Sequence, residues 1–177
     1  MKTPIIETER MILRPLSIKD APDIYERWTS DERVAKYVRW STHENLEATK
    51  GWLAFEESNV NNEYVYQWGF ELKENHYLFG CGGINYKELE GLFELGYNIM
   101  FDYWNQGYTT EAAKAIIEFA HLKLGQDELV ACHAKENPAS GRILEKCGFL
   151  YENDGVQTKF DGITSLEIKS YRRILKN

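Results

Sequence analysis

The chain has 177 residues, 43% hydrophobic and 14% aromatic, with 21 Lys and Arg against 28 Asp and Glu for a formal net charge of −7 at pH 7. This is the make-up of a globular protein in the size range of one compact domain, residues 1–177. No apolar run approaches the roughly 20 residues of a membrane helix, and interspersed, net negative charge disfavours a phosphate-backbone footprint, so neither a membrane nor a nucleic acid is an expected partner.

The opening MKTPIIETERMILRPL lacks the basic, apolar and small-residue sections of a secretory signal. RMILRPL, Arg10 to Leu16, reads as a short strand ended by Pro15. In SIKDAPDIYERW, Ser17 is an N-cap with Asp20 three residues on, and Ala21, Ile24, Tyr25 and Trp28 recur at helical spacing. A second helix is expected from near Thr42, in THENLEATKGWLAFEES. The period then changes to two: Tyr64, Tyr66, Trp68, Phe70 and Leu72 alternate with Val65, Gln67, Gly69 and Glu71. YLFGCGGINY and GLFELGYNI, separated by the turn-like KELEG, predict an antiparallel meander in which Gly96 marks a bulge. Next come a helix from Thr110 to Leu124, the strand ELVACHA, a helix from Pro138 to Cys147 and a strand from Phe149. A hairpin turning at Asp161-Gly162 closes the chain. The sum is a mixed α/β sheet.

Cys81, Cys132 and Cys147 have neither metal-ligand spacing nor a disulfide framework, which predicts free thiols in a reducing cytosol. His43, His76, His121 and His133 show no ligand spacing either, so no metal is expected.

Two segments carry the chemistry. In YWNQGYTTEAAKAIIEFAHLKLG, Gly107 permits positive φ and close approach at the mouth of a long helix, and Thr109 or Thr110 is placed to cap it. Such a helix start holds unpaired amides and partial positive charge, which suits an anion. An ordinary strand-to-helix turn fits the same residues equally well. Neither GxGxxG nor GxxxxGK[ST] is present. In ENPASGRILEKCGFL, Asn137 and Ser140 stand at a helix start, Pro138 fits the first turn and Gly148 is a stop signal. Taken alone, both polar residues read as capping groups.

Taken in order, TERMILRPL, ELGYNI, YWNQGYTTEA and NPASGRILEKCGF resemble the GNAT superfamily of N-acetyltransferases, in particular its RimJ/RimL type, which acetylates protein N-termini. The resemblance implies a single-domain mixed α/β fold, with a mostly antiparallel twisted sheet, splayed fourth and fifth strands and about four flanking helices. Acetyl-CoA would lie in the gap between those strands. Main-chain amides of Gln106, Gly107, Tyr108, Thr109 and Thr110 would hold its pyrophosphate. Its pantetheine arm would run beside Asn98, Ile99 and Met100 like an added strand. Asn137 would contact it from the other wall, and Arg142 and Lys146 would approach its phosphates. The chain departs from the family pattern at Trp104 and Thr109, the first and last positions of the loop, and at Leu144, where many members carry a general-acid tyrosine.

The implied activity is acetyl transfer to a primary amine, including a protein α-amino group, by direct attack within a ternary complex and without a metal. Small-molecule acetylation of a polyamine, amino acid or aminoglycoside is the alternative, and a non-catalytic acyl-CoA-binding module is another. Glu94 is the first choice of base, with Glu71 in reserve. Ser140 would hydrogen-bond or protonate the departing sulfur, and a main-chain amide near Ile99 would hold the acetyl oxygen. VAKYVRWSTHE, with Tyr37, Trp40 and His43, is a candidate acceptor mouth. Related enzymes imply a homodimer.

Overall fold

The computed structural model describes residues 2–176. After β1 (Ile6–Glu7) and β2 (Met11–Arg14) the chain enters a helical segment through the expected capping box: Ser17 N donates to Asp20 Oδ2 at 2.9 Å, and Lys19 N to Ser17 Oγ at 3.4 Å. The segment is not one regular helix. A 3-10 turn (Ile18–Asp20) leads into α1 (Ala21–Ile24) and a π-helical turn (Tyr25–Thr29), where the Thr29 hydroxyl donates back to Ile24 O. α2 (Glu32–Ala35) follows, capped by Asp31.

The next helix starts later than Thr42 suggests. His43 N is already committed to Thr29 O at 2.8 Å, and the cap is Asn45, whose side chain accepts from Ala48 N. α3 (Leu46–Ser58) then runs with Thr49, Trp52, Leu53 and Glu56 at i, i+3, i+4 and i+7, one face of the helix.

The remaining elements are β3 (Val65–Leu72), β4 (Leu78–Lys87), β5 (Leu92–Ile99), α4 (Tyr108–Leu124), β6 (Glu128–Ala134), α5 (Pro138–Lys146), β7 (Leu150–Thr158) and β8 (Ser165–Ile174). The strands form one sheet in the order β1-β2-β3-β4-β5-β6-β8-β7. It is antiparallel except at β5–β6, and the expected meander and terminal hairpin are both present. Tyr66, Trp68 and Phe70 pack with Ile116 and Phe119 of α4 on one face. On the other, Leu78 and Cys81 pack with Ile24, Trp28 and Leu53. Helices therefore cover both faces, and the alternation read in β3 separates the two cores.

The parallel pairing of β5 with β6 covers only Phe93–Leu95 against Leu129–Ala131. β5 continues to Ile99 beside β4, and β6 to Ala134 beside β8, so their facing edges diverge beyond Leu95. This is the splay between the strands counted as fourth and fifth in the resemblance. Gly96 is not a bulge: it sits in regular register with Gly83, and the register shifts lie between β3 and β4, where Phe70 pairs with Gly80 and Glu71 with Leu78, and between β7 and β8 at Tyr151 and Asn153.

Glu71 ties the first strands together, accepting from Arg14 Nε at 2.6 Å and from His76 Nδ1 at 2.7 Å. Burial opposes its charge, but the Arg14 and His76 hydrogen bonds outweigh burial and hold its carboxyl below the usual range. A carboxylate depressed on folding contributes stability that is full above its unfolded value of about 4.3 and is lost as pH falls through the lower folded value. Glu71→Gln is therefore expected to lower stability at pH 7 by about 1–3 kcal/mol. In thermal melts it should also flatten the wild type's fall in Tm between pH 5 and 3. An equally steep acid fall in the variant would assign that fall to other carboxylates.

Candidate active site

The splay opens into a cavity of about 900 Å³ that runs from the start of α4, past the edge of β5, to α3 and the tip of the β7–β8 hairpin. Side chains on a strand alternate between faces. Phe93, Leu95 and Ile99 go to the core under α4, which leaves Glu94, Gly96 and Asn98 in a row along the cavity. Gly96 has a physical purpose here: a Cβ built on it would meet nothing within 4 Å, so the missing side chain is open passage.

At one end, α4 begins on Gly107, in the left-handed region at φ 83° and with no side-chain cap. Thr109 and Thr110 are not caps as expected; they lie within the first turn, and Thr109 is buried. Because no side chain takes the cap position, the first amides of α4 are left for another acceptor. The acidic residue of that turn, Glu111, is drawn aside: it accepts from Thr8 Oγ1 at 2.6 Å, Arg10 N at 2.8 Å and Arg10 Nε at 2.7 Å. Its charge is thus neutralised away from the helix mouth. Gly107, Thr109 and Thr110 line the cavity. The side chains of Gln106 and Tyr108 turn elsewhere, Gln106 Nε2 to Asp102 O and the Tyr108 ring under the Arg10 guanidinium, so these two residues offer only main-chain groups. Trp104 Nε1 donates to Ile99 O at 3.0 Å, which ties the loop to the end of β5. Met100 packs against both cores.

On the opposite wall, Asn137 caps α5 by accepting from Ser140 N at 3.3 Å, and Arg142 and Lys146, one turn apart, border the cavity. Ser140 Oγ lies 3.2 Å from the Tyr97 hydroxyl. Burial raises the Tyr97 phenol, which stays protonated and holds the serine in place. Leu144 is buried in the core and contributes no hydroxyl.

Glu94 lies at one end of the row, with Lys87 Nζ 3.6 Å from Oε2 and the Cys132 thiol 3.5 Å from Oε1. Burial pushes the Cys132 thiol up to about 12, so at neutral pH it is a hydrogen-bond donor rather than a nucleophile. Glu71, on the far side with Arg14 and His76, is not brought to the cavity. His133 is a structural residue, with Nδ1 bonded to Ala134 O and Nε2 to the Tyr171 hydroxyl. Among the described residues no group of three or more His, Cys, Asp or Glu is arranged to hold a metal ion, and no helix is long and apolar enough to cross a membrane.

Two features test the fit of a CoA thioester. The open helix mouth suits a diphosphate, and the free edge of β5 suits an amide-bearing arm, with the buried, unpartnered Oδ1 of Asn98 available to accept from it. Both agree with the group. A splayed mixed sheet with these two walls defines a CoA-dependent acyltransferase. Residues 10–150 match the Acetyltransferase (GNAT) domain, and the chain belongs to this family of enzymes. YoaA, an uncharacterized N-acetyltransferase of Bacillus subtilis (strain 168), is 27% identical over 158 residues, 89% of this chain and 88% of the relative. YnaD of the same organism, also an uncharacterized N-acetyltransferase, is 30% identical over 148 residues, 83% of each. The crystal structure of a GNAT-family acetyltransferase from Bacillus anthracis matches with a TM-score of 0.83 at 24% identity, covering 98% of this chain and 100% of that one.

Proposed function

We propose that this chain transfers an acetyl group from acetyl-CoA to the nitrogen of a primary amine by direct attack. The observation that carries the reading is the single cavity joining the α4 mouth, the Glu94–Gly96–Asn98 row and an acceptor end under the hairpin. Bound acetyl-CoA would supply the acetyl group as an activated thioester. Asn98, Ile99 and Met100 form the strand edge for the pantetheine arm, the turn from Gln106 to Thr110 the diphosphate seat, and Asn137 and Arg142 the opposite wall. A main-chain amide near Ile99 polarises the acetyl oxygen. Glu94 takes the proton of the amine, directly or through water, as the C–N bond forms. The C–S bond breaks with its electron pair on sulfur, and Ser140 orients that sulfur by a hydrogen bond. A serine hydroxyl is too weak an acid to do more unaided.

Of the acceptor classes, a protein α-amino group follows from the RimJ/RimL-type likeness and a small amine from the shape of the acceptor end. There, Phe160 N donates to Arg39 O and Lys159 Nζ to Ala35 O, each at 2.8 Å, and these bonds strap the hairpin to the end of α2 and the segment that follows it. A polypeptide would have to displace the strap, so the small amine is favoured. The proposal includes a cytoplasmic setting, in keeping with three free thiols. It also includes a homodimer, for which the edge strand β7, with exposed Leu150, Tyr151 and Val156, offers a surface.

The test is thiol release from acetyl-CoA with a panel of small primary amines and a peptide, using wild type and Gly96→Leu. Wild type should turn over small amines. Gly96→Leu should stay folded, because open space receives the new side chain, yet lose turnover at least tenfold. Unimpaired turnover in the variant would place the reaction outside this passage.

A further inference from the structure

Three buried side-chain polar atoms among the described residues have no hydrogen-bond partner: Arg39 Nε, Glu56 Oε2 and Asn98 Oδ1. All three residues line the cavity. Asn98 faces the splay and Arg39 stacks its guanidinium on Phe160 at 4.6 Å, whereas Glu56 stands at the far, acceptor end on the inward face of α3. Trp52 Nε1 donates to Glu56 Oε1 at 2.9 Å, which fixes the carboxyl plane and leaves Oε2 free.

The surroundings suit a cation. Trp40 and His43 have ring centroids 5.9 Å apart at 58°, and His43 and Trp52 6.1 Å apart at 67°, so successive rings turn to form walls. His43 Nδ1 is 2.8 Å from Thr49 Oγ1, and burial lowers the pKa of this ring, so it adds no positive charge of its own at neutral pH. Burial also pushes the Glu56 carboxyl up, the mark of a charge without a partner. An ammonium placed there gains a charge-assisted hydrogen bond beside a wall of aromatic rings.

Register gives the spacing. Val65 pairs with Asn85, and Asn85 with Glu94, on three successive strands. Glu56 meets Val65 and Gln67 at a small void beside the sheet. The Glu56 end therefore lies about two strand spacings, roughly 10 Å, from Glu94. A chain of about four to six methylenes, shorter end to end than its bonds of about 1.5 Å laid in line, lets two nitrogens reach across the gap with a hydrogen bond at each end.

We propose that the acceptor is an aliphatic diamine, one ammonium held by Glu56 beside the Trp40, His43 and Trp52 rings while the other nitrogen, as the neutral amine, is presented beside Glu94. The assignment rests on the N-acetyltransferase reading above and names its substrate class. The void beside Glu56, about 10 Å³, has room for about one water, which is the competing partner for Oε2.

The experiment compares 1,5-diaminopentane with pentylamine, equal in length but with one nitrogen. It uses thiol-release kinetics at saturating acetyl-CoA and calorimetric titration of each amine into CoA-loaded protein, for wild type, Glu56→Gln and Trp40→Leu. In wild type the diamine should have at least a tenfold advantage in kcat/KM, arising in KM, and a matching advantage in Kd. Glu56→Gln keeps the acceptor for Trp52 and should bring the ratio of the two amines near one. Trp40→Leu should reduce it about two- to fivefold. Equal affinity of wild type for the two amines overturns the diamine. An undiminished advantage in Glu56→Gln also overturns the assignment and gives Oε2 to the water. Without turnover of any amine the acetyltransferase reading fails, and the calorimetric ratio still decides whether Glu56 holds the second nitrogen.

Discussion

Calorimetric titration with acetyl-CoA is expected to show saturable binding by wild type and a loss of at least 100-fold in Gly107→Glu, about 2.7 kcal/mol or more. Two effects combine. Gly107 has φ 83°, and a residue with a Cβ is strained there by about 1–2 kcal/mol. The new carboxylate would also stand at the amide end of α4, where the diphosphate is to be held, and would repel it while competing for the same amides. It would start from a Cβ 3.5 Å from Arg10 Nη2 and so could draw that guanidinium from Glu111. Gly107→Asn separates charge from strain, because asparagine tolerates the left-handed region and is neutral. It should bind within about tenfold of wild type. Full affinity in Gly107→Glu would remove the start of α4 from the binding site, whereas equal losses in both variants would point to backbone strain rather than charge.

What was legible in the sequence was local. The Ser17–Asp20 capping box, the Asn137 cap and the two-residue period of β3 each depend on residues within a few positions of one another, and each stands in the structure. The start of α3 is ambiguous in the sequence because Thr42 and Asn45 are both competent caps. The choice is made by the tertiary bond from His43 N to Thr29 O. Thr109 and Thr110 of the α4 turn are likewise competent caps by residue type, although Gly107 already makes the turn without a side chain. The splay could not be read from any one segment, since it depends on where β5 and β6 stop pairing; the ordered set of motifs supplied it through family likeness. Glu56 was hidden in the polar run FEES. Its inward position follows from the stripe Thr49, Trp52, Leu53, Glu56, which a strictly apolar template overlooks. That it lacks a partner is visible only once α3 is packed on the sheet.

Glu94→Gln is expected to lower kcat by about 100-fold or more, within the range for loss of a general base, while acetyl-CoA affinity stays near that of wild type. Glutamine keeps the shape of the side chain and can still accept from the Cys132 thiol, so the cavity wall is preserved; only the capacity to take a proton is removed. An alkyl amine is mostly protonated at neutral pH, and its neutral form is what attacks, so the variant should recover activity as rising pH supplies free amine. The kcat/KM deficit of Glu94→Gln against wild type should therefore shrink as pH rises. A profile unchanged in Glu94→Gln would transfer proton removal to water held elsewhere in the cavity and leave Glu94 as the partner of Lys87. A variant that loses both rate and cofactor affinity would instead mean that Glu94 shapes the wall of the passage rather than taking the proton.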